Sequence, residues 1–315
     1  MNTNAKNLAD LAAPMETAVI IEQCHGSLFM ESLGWLPLIL LPALTILLRN
    51  SLVPWAFMWA EAAAIFFGCK WLTWYRCQQP AIQPWRNWAY FLAWPGLDAK
   101  AFLCDRAPVQ KPVPFAWITA LLITGLGAAL LWGTVRMLPA SSVILTGWCG
   151  LLGLIFVLHF GTFHLLALAW QQIGVNARPL MRAPILATSL GEFWGQRWNS
   201  AFNQVVHAFL FRPFHRQLGL AVATMGVFLA SGMIHELVLS VPARAGYGLP
   251  TLYFLLQGAG ILAEHTALGT KISLRHGIIG WCFTVALTAI PAFWLFHPPF
   301  ITRVIIPFLH AIHAF

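Results

Sequence analysis

Eight apolar runs, at roughly 33–48, 53–74, 115–135, 143–170, 218–240, 249–268, 277–297 and 300–315, occupy most of the chain. Each but the first and last approaches or exceeds the about 20 residues a helix needs to cross about 30 Å of hydrocarbon. Lipid cannot satisfy a backbone amide, so such segments must bond internally as helices. Only 9% of the 315 residues are charged, against about a quarter in soluble domains. The expected fold is an all-α, polytopic transmembrane bundle of seven or eight spans with added interfacial amphipathic helices. It forms one membrane domain over 33–315, preceded by a polar cytoplasmic segment over 1–32. Pro37 and Pro42 in the first run are tolerable as kinks. The last run is short enough to lie in the interface.

Basic residues cluster in alternate connections. The segment 75–114 holds Arg76, Arg86, Lys100, Arg106 and Lys111, the segment 171–217 holds Arg178, Arg182, Arg197, Arg212 and Arg216, and Lys271 and Arg275 follow. The connections between hold only Arg49, Arg136 and Arg244. That alternation predicts a cytoplasmic N-terminus; in a bacterium the membrane would be the inner one. Residues 1–32 lack the basic and then apolar order of a signal peptide. The net charge of +8 follows from these loops, and no solvated basic face exists for nucleic acid. The six cysteines form no C-x-x-C pair and suggest neither a metal site nor a disulfide framework.

Two cytoplasmic segments are more than loops. Residues 85–103 are rich in Trp and Tyr, suited to the headgroup level, with a turn at Pro95-Gly96. Residues 193–211 carry Gln196, Asn199, Asn203 and His207 on one helical face and Trp194, Trp198, Ala201, Val205 and Phe209 on another. That spacing predicts an interfacial amphipathic helix ending near Arg212-Pro213.

Ionisable groups inside the spans are costly and mark a function or a buried partner. His235 and Glu236 lie far along the run 218–240, with His235 four residues after Ser231. At 1.5 Å per residue His235 is about 25 Å from the start of that run. Two readings stand side by side for His235: a histidine bonded to a neighbouring helix, and a group that does chemistry. Gln257, Gly260 and Glu264 share a face of the next span and read first as polar glue, with Glu264 also a candidate to orient His235. Glu61 shares a packing face with Ala64 and Gly68. His159 and His164 differ by about 140° of rotation and do not suit one metal. The tight histidine boxes of di-iron membrane enzymes, the clustered aspartates that bind Mg²⁺-pyrophosphate and a Walker-type loop are all missing. What remains is metal-free acid–base chemistry on a lipid-soluble substrate, or a multi-pass transporter or lipid-binding membrane protein with a path of His235, Glu236 and Glu264.

Three blocks occur in order: Gly191-Glu192-Phe193-Trp194-Gly195-Gln196-Arg197-Trp198-Asn199, then Arg212-Pro213, then Ser231-Gly232-Met233-Ile234-His235-Glu236. Together they resemble the wax synthase branch of the membrane-bound O-acyltransferases, over about residues 185–270. The Trp-Pro-Gly-Leu-Asp stretch at 94–98 adds to the likeness. The resemblance implies transfer of an acyl group from acyl-CoA, a co-substrate, to a lipophilic alcohol, with no other cofactor and no metal. It implies a catalytic His235 as general base for the acceptor hydroxyl and an active-site Asn199 associated with acyl-CoA. Glu236, Trp198, Arg197, Ser231 and Glu264 are supporting candidates, and Arg212 and Arg216 could meet the anionic CoA. The chemistry agrees with the assignment. An alcohol attacking a thioester must lose its proton, and imidazole, with a pKa near ~6.5, suits that task. No Cys or Ser sits in a nucleophile setting, so no covalent intermediate is needed. The expected partners are acyl-CoA, an alcohol and membrane lipids.

Overall fold

The structure, a computed structural model, describes residues 28–77 and 79–315. The expected polar segment 1–32 therefore lies mostly outside the described residues. Among the described residues every regular element is helical. The first pair is α1, Leu28–Leu47, and α2, Pro54–Arg76. Both prolines of α1 lie within the helix, as membrane helices allow. Glu61, Ala64 and Gly68 of α2 are buried. The Thr45 hydroxyl donates to Glu61 Oε2, and a Cβ on Gly68 would fall 2.5 Å from Leu38 Cα. Glycine there is what lets α1 lie directly on α2.

Short helices α3, Trp85–Ala93, and α4, Ala99–Cys104, fold beneath this pair. The expected break between them falls at Trp94–Asp98, where Asp98 caps α4 by accepting from the Ala101 N–H at 2.9 Å. Lys70 of α2 is wholly buried and pins this stretch. Its ammonium donates to the carbonyls of Tyr90 and Gly96, each at 2.6 Å, and sits 3.5 Å from the centre of the Tyr90 ring.

Among the described residues four helices are long and apolar enough to cross a membrane: α5, Pro114–Met137; α6, Val143–Gln172; α8, Ser200–Ala243; and α11, Gly277–Leu295. The remaining apolar runs give shorter or more polar helices. The pair α5 and α6 approaches closely at Gly127 and Gly153; a Cβ on Gly127 would lie 2.7 Å from Val157 N.

The expected amphipathic helix over 193–211 is not continuous. A first turn, α7, Leu190–Glu192, widens over Phe193–Arg197. The chain then breaks at Asn199, whose φ of 44° is left-handed, and α8 starts at Ser200. Nor does Pro213 stop the helix. A wide turn over His207–Phe211 precedes it, and such turns accommodate the donor that proline lacks. The break comes at Gly219, with φ 82° and ψ 175°, a conformation open to glycine alone. Residues 200–218 and 220–243 are thus two arms, and only the second follows the predicted span.

Next come α9, Leu249–Glu264; α10, Ala267–Lys271; α11; and α12, residues 298–311. The α12 segment runs between two other helix ends. Arg303 donates to the carbonyl of Ala243, which closes α8, at 3.0 Å. At its far end the carbonyls of His313 and Ala314 accept from Arg136 of α5, at 2.6 and 3.2 Å. One core surrounds α9, α12 and the start of α6; a second gathers Tyr90, Trp94, Phe102, Ala167, Val175 and Ala201.

Candidate active site

The site is built where α7, α8 and α9 meet. Ser189 is the N-cap of α7, its hydroxyl accepting from the Glu192 N–H at 3.0 Å. Glu192 turns back to accept from the Thr188 N–H at 2.8 Å, a reciprocal arrangement of the capping-box kind. Burial works to raise the Glu192 carboxyl, but Thr188 and the Arg197 guanidinium outweigh it and hold it below its usual range. The next two amides of the turn are also taken up. Glu264, wholly buried at the end of α9, accepts from Leu190 N–H at 2.5 Å and Gly191 N–H at 3.3 Å.

The turn so anchored directs Trp194 inward. Its indole donates to Gln257 Oε1 at 3.3 Å, and Gln257 in turn donates to the Leu287 carbonyl of α11 at 2.7 Å. The Asn203 amide donates to the Trp194 carbonyl. The indole packs against Phe254, centroids 5.5 Å apart, and Phe254 lies 4.4 Å from the His235 ring. Trp194 and His235, from two sequence blocks and 41 residues apart in the chain, thereby share one ring cluster through a residue of a third helix.

His235 ends the regular part of α8. Its Nδ1 lies 2.7 Å from the Ser231 carbonyl. A carbonyl can only accept, so in the neutral ring Nδ1 carries the proton and Nε2 keeps its lone pair. Among the described residues Nε2 has no partner. Gly232, beside Ser231, packs on the backbone of α9: a Cβ there would sit 2.7 Å from Thr251 Cα. Glu236 reaches the same helix, its Oε1 accepting from Gly248 N–H at 2.9 Å, Thr251 N–H at 3.2 Å and the Thr251 hydroxyl at 3.0 Å. The block Ser231-Gly232-x-x-His235-Glu236 thus contains a ring acceptor, a close helix approach, an imidazole and a cap for the neighbouring helix.

Glu236 and Glu264 attend opposite ends of α9, about 20 Å apart along a 16-residue helix. Glu264 meets α7 rather than His235, and Glu236 meets the start of α9. Arg197 is tied to α7 and to the segment before it: Nε donates to Glu192 at 2.6 Å and Nη1 to the carbonyls of Arg182 and Ala183 at 3.0 and 3.3 Å. Trp198 stacks on Phe193 with centroids 5.6 Å apart. Asn199 caps α8, its Oδ1 accepting from Phe202 N–H at 3.3 Å. Its side-chain NH₂ donates to no protein group among the described residues, His235 included. Arg212 is half-buried and Arg216 exposed, and neither is in an ion pair among the described residues. No group of three or more His, Cys, Asp or Glu is gathered as for a metal among the described residues.

The sequence left Ser189, Phe254 and Lys70 unremarked and gave Asn203 only a place on a polar helical face. The capping pattern Ser189-x-x-Glu192 was open to reading. Phe254 and Lys70 carried no local signal, because their roles depend on contacts between distant segments.

Residues 177–256 match the profile of the membrane bound O-acyl transferase family. An Arabidopsis thaliana protein named probable long-chain-alcohol O-fatty-acyltransferase 7 is 33% identical over 144 residues, 41% of this chain and 42% of the relative. The long-chain-alcohol O-fatty-acyltransferase of Simmondsia chinensis is 30% identical over 165 residues, 47% of each. An acyl-CoA–sterol O-acyltransferase 1 of Arabidopsis thaliana is 27% identical over 136 residues, 40% of this chain and 39% of the relative. The chain spans less than half the length of each of these relatives. The motif blocks and the family profile coincide on the segment that builds the His235 cluster, and over that segment the chain resembles the wax synthase branch of the membrane-bound O-acyltransferases.

Proposed function

We propose that this membrane protein transfers a fatty acyl group from acyl-CoA to a lipophilic alcohol, with His235 as general base. The observation that carries the reading is the Nδ1 contact with the Ser231 carbonyl at 2.7 Å. It leaves Nε2 as the basic nitrogen, unpartnered and bordered by an aromatic wall.

In the proposed step Nε2 takes the hydroxyl proton as the alcohol oxygen bonds to the thioester carbonyl carbon. The carbon–sulfur bond then breaks, and the imidazolium returns its proton to the departing CoA thiolate. Nothing is oxidised, and no acyl-enzyme forms. The free NH₂ of Asn199 is suited to donate to the carbonyl oxygen as charge develops there, or to bound CoA. Arg212 and Arg216, without acid partners, suit the anionic part of CoA. Trp198, Arg197, Glu192 and Glu264 act by holding the α7 turn, and Glu236 by holding α9. The names of the relatives point to a long-chain alcohol as acceptor, with a sterol as a second lipid alcohol.

The same reading gives residues 33–315 as one membrane domain with its N-terminus in the cytoplasm and its catalytic core over about 185–270. Seven segments cross: α1, α2, α5, α6, the second arm of α8, α9 and α11. The ends of α12 at Ala243 and Arg136 support its lying along the outer face instead. Lipid analysis of cells expressing the wild type and His235→Ala tests the function. A new ester class present only with the wild type is expected, and it would name both substrates; the same ester in equal amount from His235→Ala would contradict the assignment.

A further inference from the structure

Away from the His235 cluster, a cavity of about 270 Å³ opens between the α1–α2 turn and the turn after α8. Arg49 and Arg244 stand at it, with Asn50 and Tyr247 beside them and Leu52, Phe57 and Pro242 also in its wall. Phe57 and Pro242 are buried, whereas both arginines and Tyr247 are exposed. Arg244 donates from Nη2 to Asn50 Oδ1 at 3.0 Å, which ties two turns nearly 200 residues apart. Arg244 also takes a φ of 51°, at a helix end where glycine is the usual occupant.

Neither guanidinium faces a carboxylate among the described residues, where Arg197 with Glu192 is the recorded ion pair. The connections on this face hold Arg49, Arg136 and Arg244, and Arg136 is occupied by the carbonyls of His313 and Ala314. The two arginines left over therefore converge on one cavity. Two planar forks at the mouth of a partly apolar pocket match the oxygens of a phosphate with an apolar body beneath it.

We propose that this cavity binds a phosphate group through Arg49 and Arg244. The apolar wall favours the phosphodiester of a lipid headgroup over free phosphate. The inference does not rest on the acyltransferase reading, since none of these residues belongs to the His235 cluster.

Thermal unfolding of the purified full chain in neutral detergent, followed by tryptophan fluorescence, tests it with three additions: phosphatidylglycerol, diacylglycerol and inorganic phosphate. Phosphatidylglycerol should raise the Tm by at least ~2 °C, diacylglycerol should not, and R49Q/R244Q should lose the rise. Should that double variant fail to accumulate, R49Q alone serves, because the exposed Arg49 side chain makes no hydrogen bond among the described residues. A rise with the lipid alone assigns the site to a headgroup; a rise with inorganic phosphate as well, lost in the variants, assigns it to phosphate from either source. No rise in the wild type, or an undiminished rise in the variants, overturns the proposal.

Discussion

The role proposed for His235 turns on one backbone contact. A histidine four residues along a helix from a carbonyl can donate Nδ1–H to it, and that choice of tautomer exposes Nε2 as the base. His265 makes the same contact, Nδ1 to the Ile261 carbonyl at 2.7 Å; what differs is the setting, for His235 abuts the Phe254 ring, which in turn packs on Trp194. Asn199 is harder to assign, because its left-handed φ and its capping oxygen already give it a structural task. Asn199→Gly separates the two. Glycine keeps the backbone conformation, so the Tm should hold, whereas Asn199→Ala should cost about 1–2 kcal/mol from the left-handed strain and the lost cap. Turnover should fall in both by about 10²-fold if the amide serves the transition state. Wild-type turnover in Asn199→Gly would leave Asn199 only its cap. The identity of His235 and Asn199 as site candidates was legible from the order of the motif blocks. The left-handed break at Asn199 was not, since the polar residues Gln196, Asn199 and Asn203 run through it at helical spacing.

Between elements, α9 is the part on which α7 and α8 are registered. Gly232 lets α8 touch the Thr251 backbone, and Glu236 and Glu264 bind opposite ends of α9. Gly232→Val should force the pair apart, costing about 1–3 kcal/mol by overpacking, and should lower the Tm and the turnover together. Glu264→Ala should strip the Leu190 and Gly191 amides of their acceptor at a cost of about 1–3 kcal/mol. Trp194 then loses its fixed place, so kcat should drop more than the KM for the alcohol; unchanged kinetics would contradict a positioning role. The helix boundaries were largely readable from apolar run length, but the stops within 193–219 were not. Proline at 213 is absorbed by a wide turn, and Gly219, one of several small residues in an apolar run, supplies the actual break. Lys70 shows the same limit: a lysine in an apolar run gives no hint that two carbonyls, 20 and 26 residues on, will accept from it.

At the scale of the whole molecule, charge distribution and contact geometry bear on the same question of sidedness. The turns at Arg49 and Arg244, given one face by the counting of basic residues, meet each other through Asn50. Single cysteines report the arrangement directly, in a background with the native cysteines, including the exposed Cys282, replaced by serine. A cysteine at Tyr247, which is 62% exposed, should react with an impermeant maleimide in intact cells. One at Lys271, exposed at the end of α10, which follows the other end of α9, should react only after permeabilisation. Reversed labelling would overturn the proposed orientation, and labelling of both from outside would overturn the span assignment.

The central claim is that Nε2 of His235 accepts the alcohol proton. Its most direct test is ester formation by isolated membranes supplied with labelled fatty acyl-CoA and a long-chain alcohol, comparing the wild type with His235→Ala at matched protein level and matched Tm. The wild type should make ester and release CoA in equal amounts. His235→Ala should fall by about 10²–10⁴-fold, the usual contribution of a positioned general base. Esterification at the wild-type rate by folded His235→Ala would contradict it.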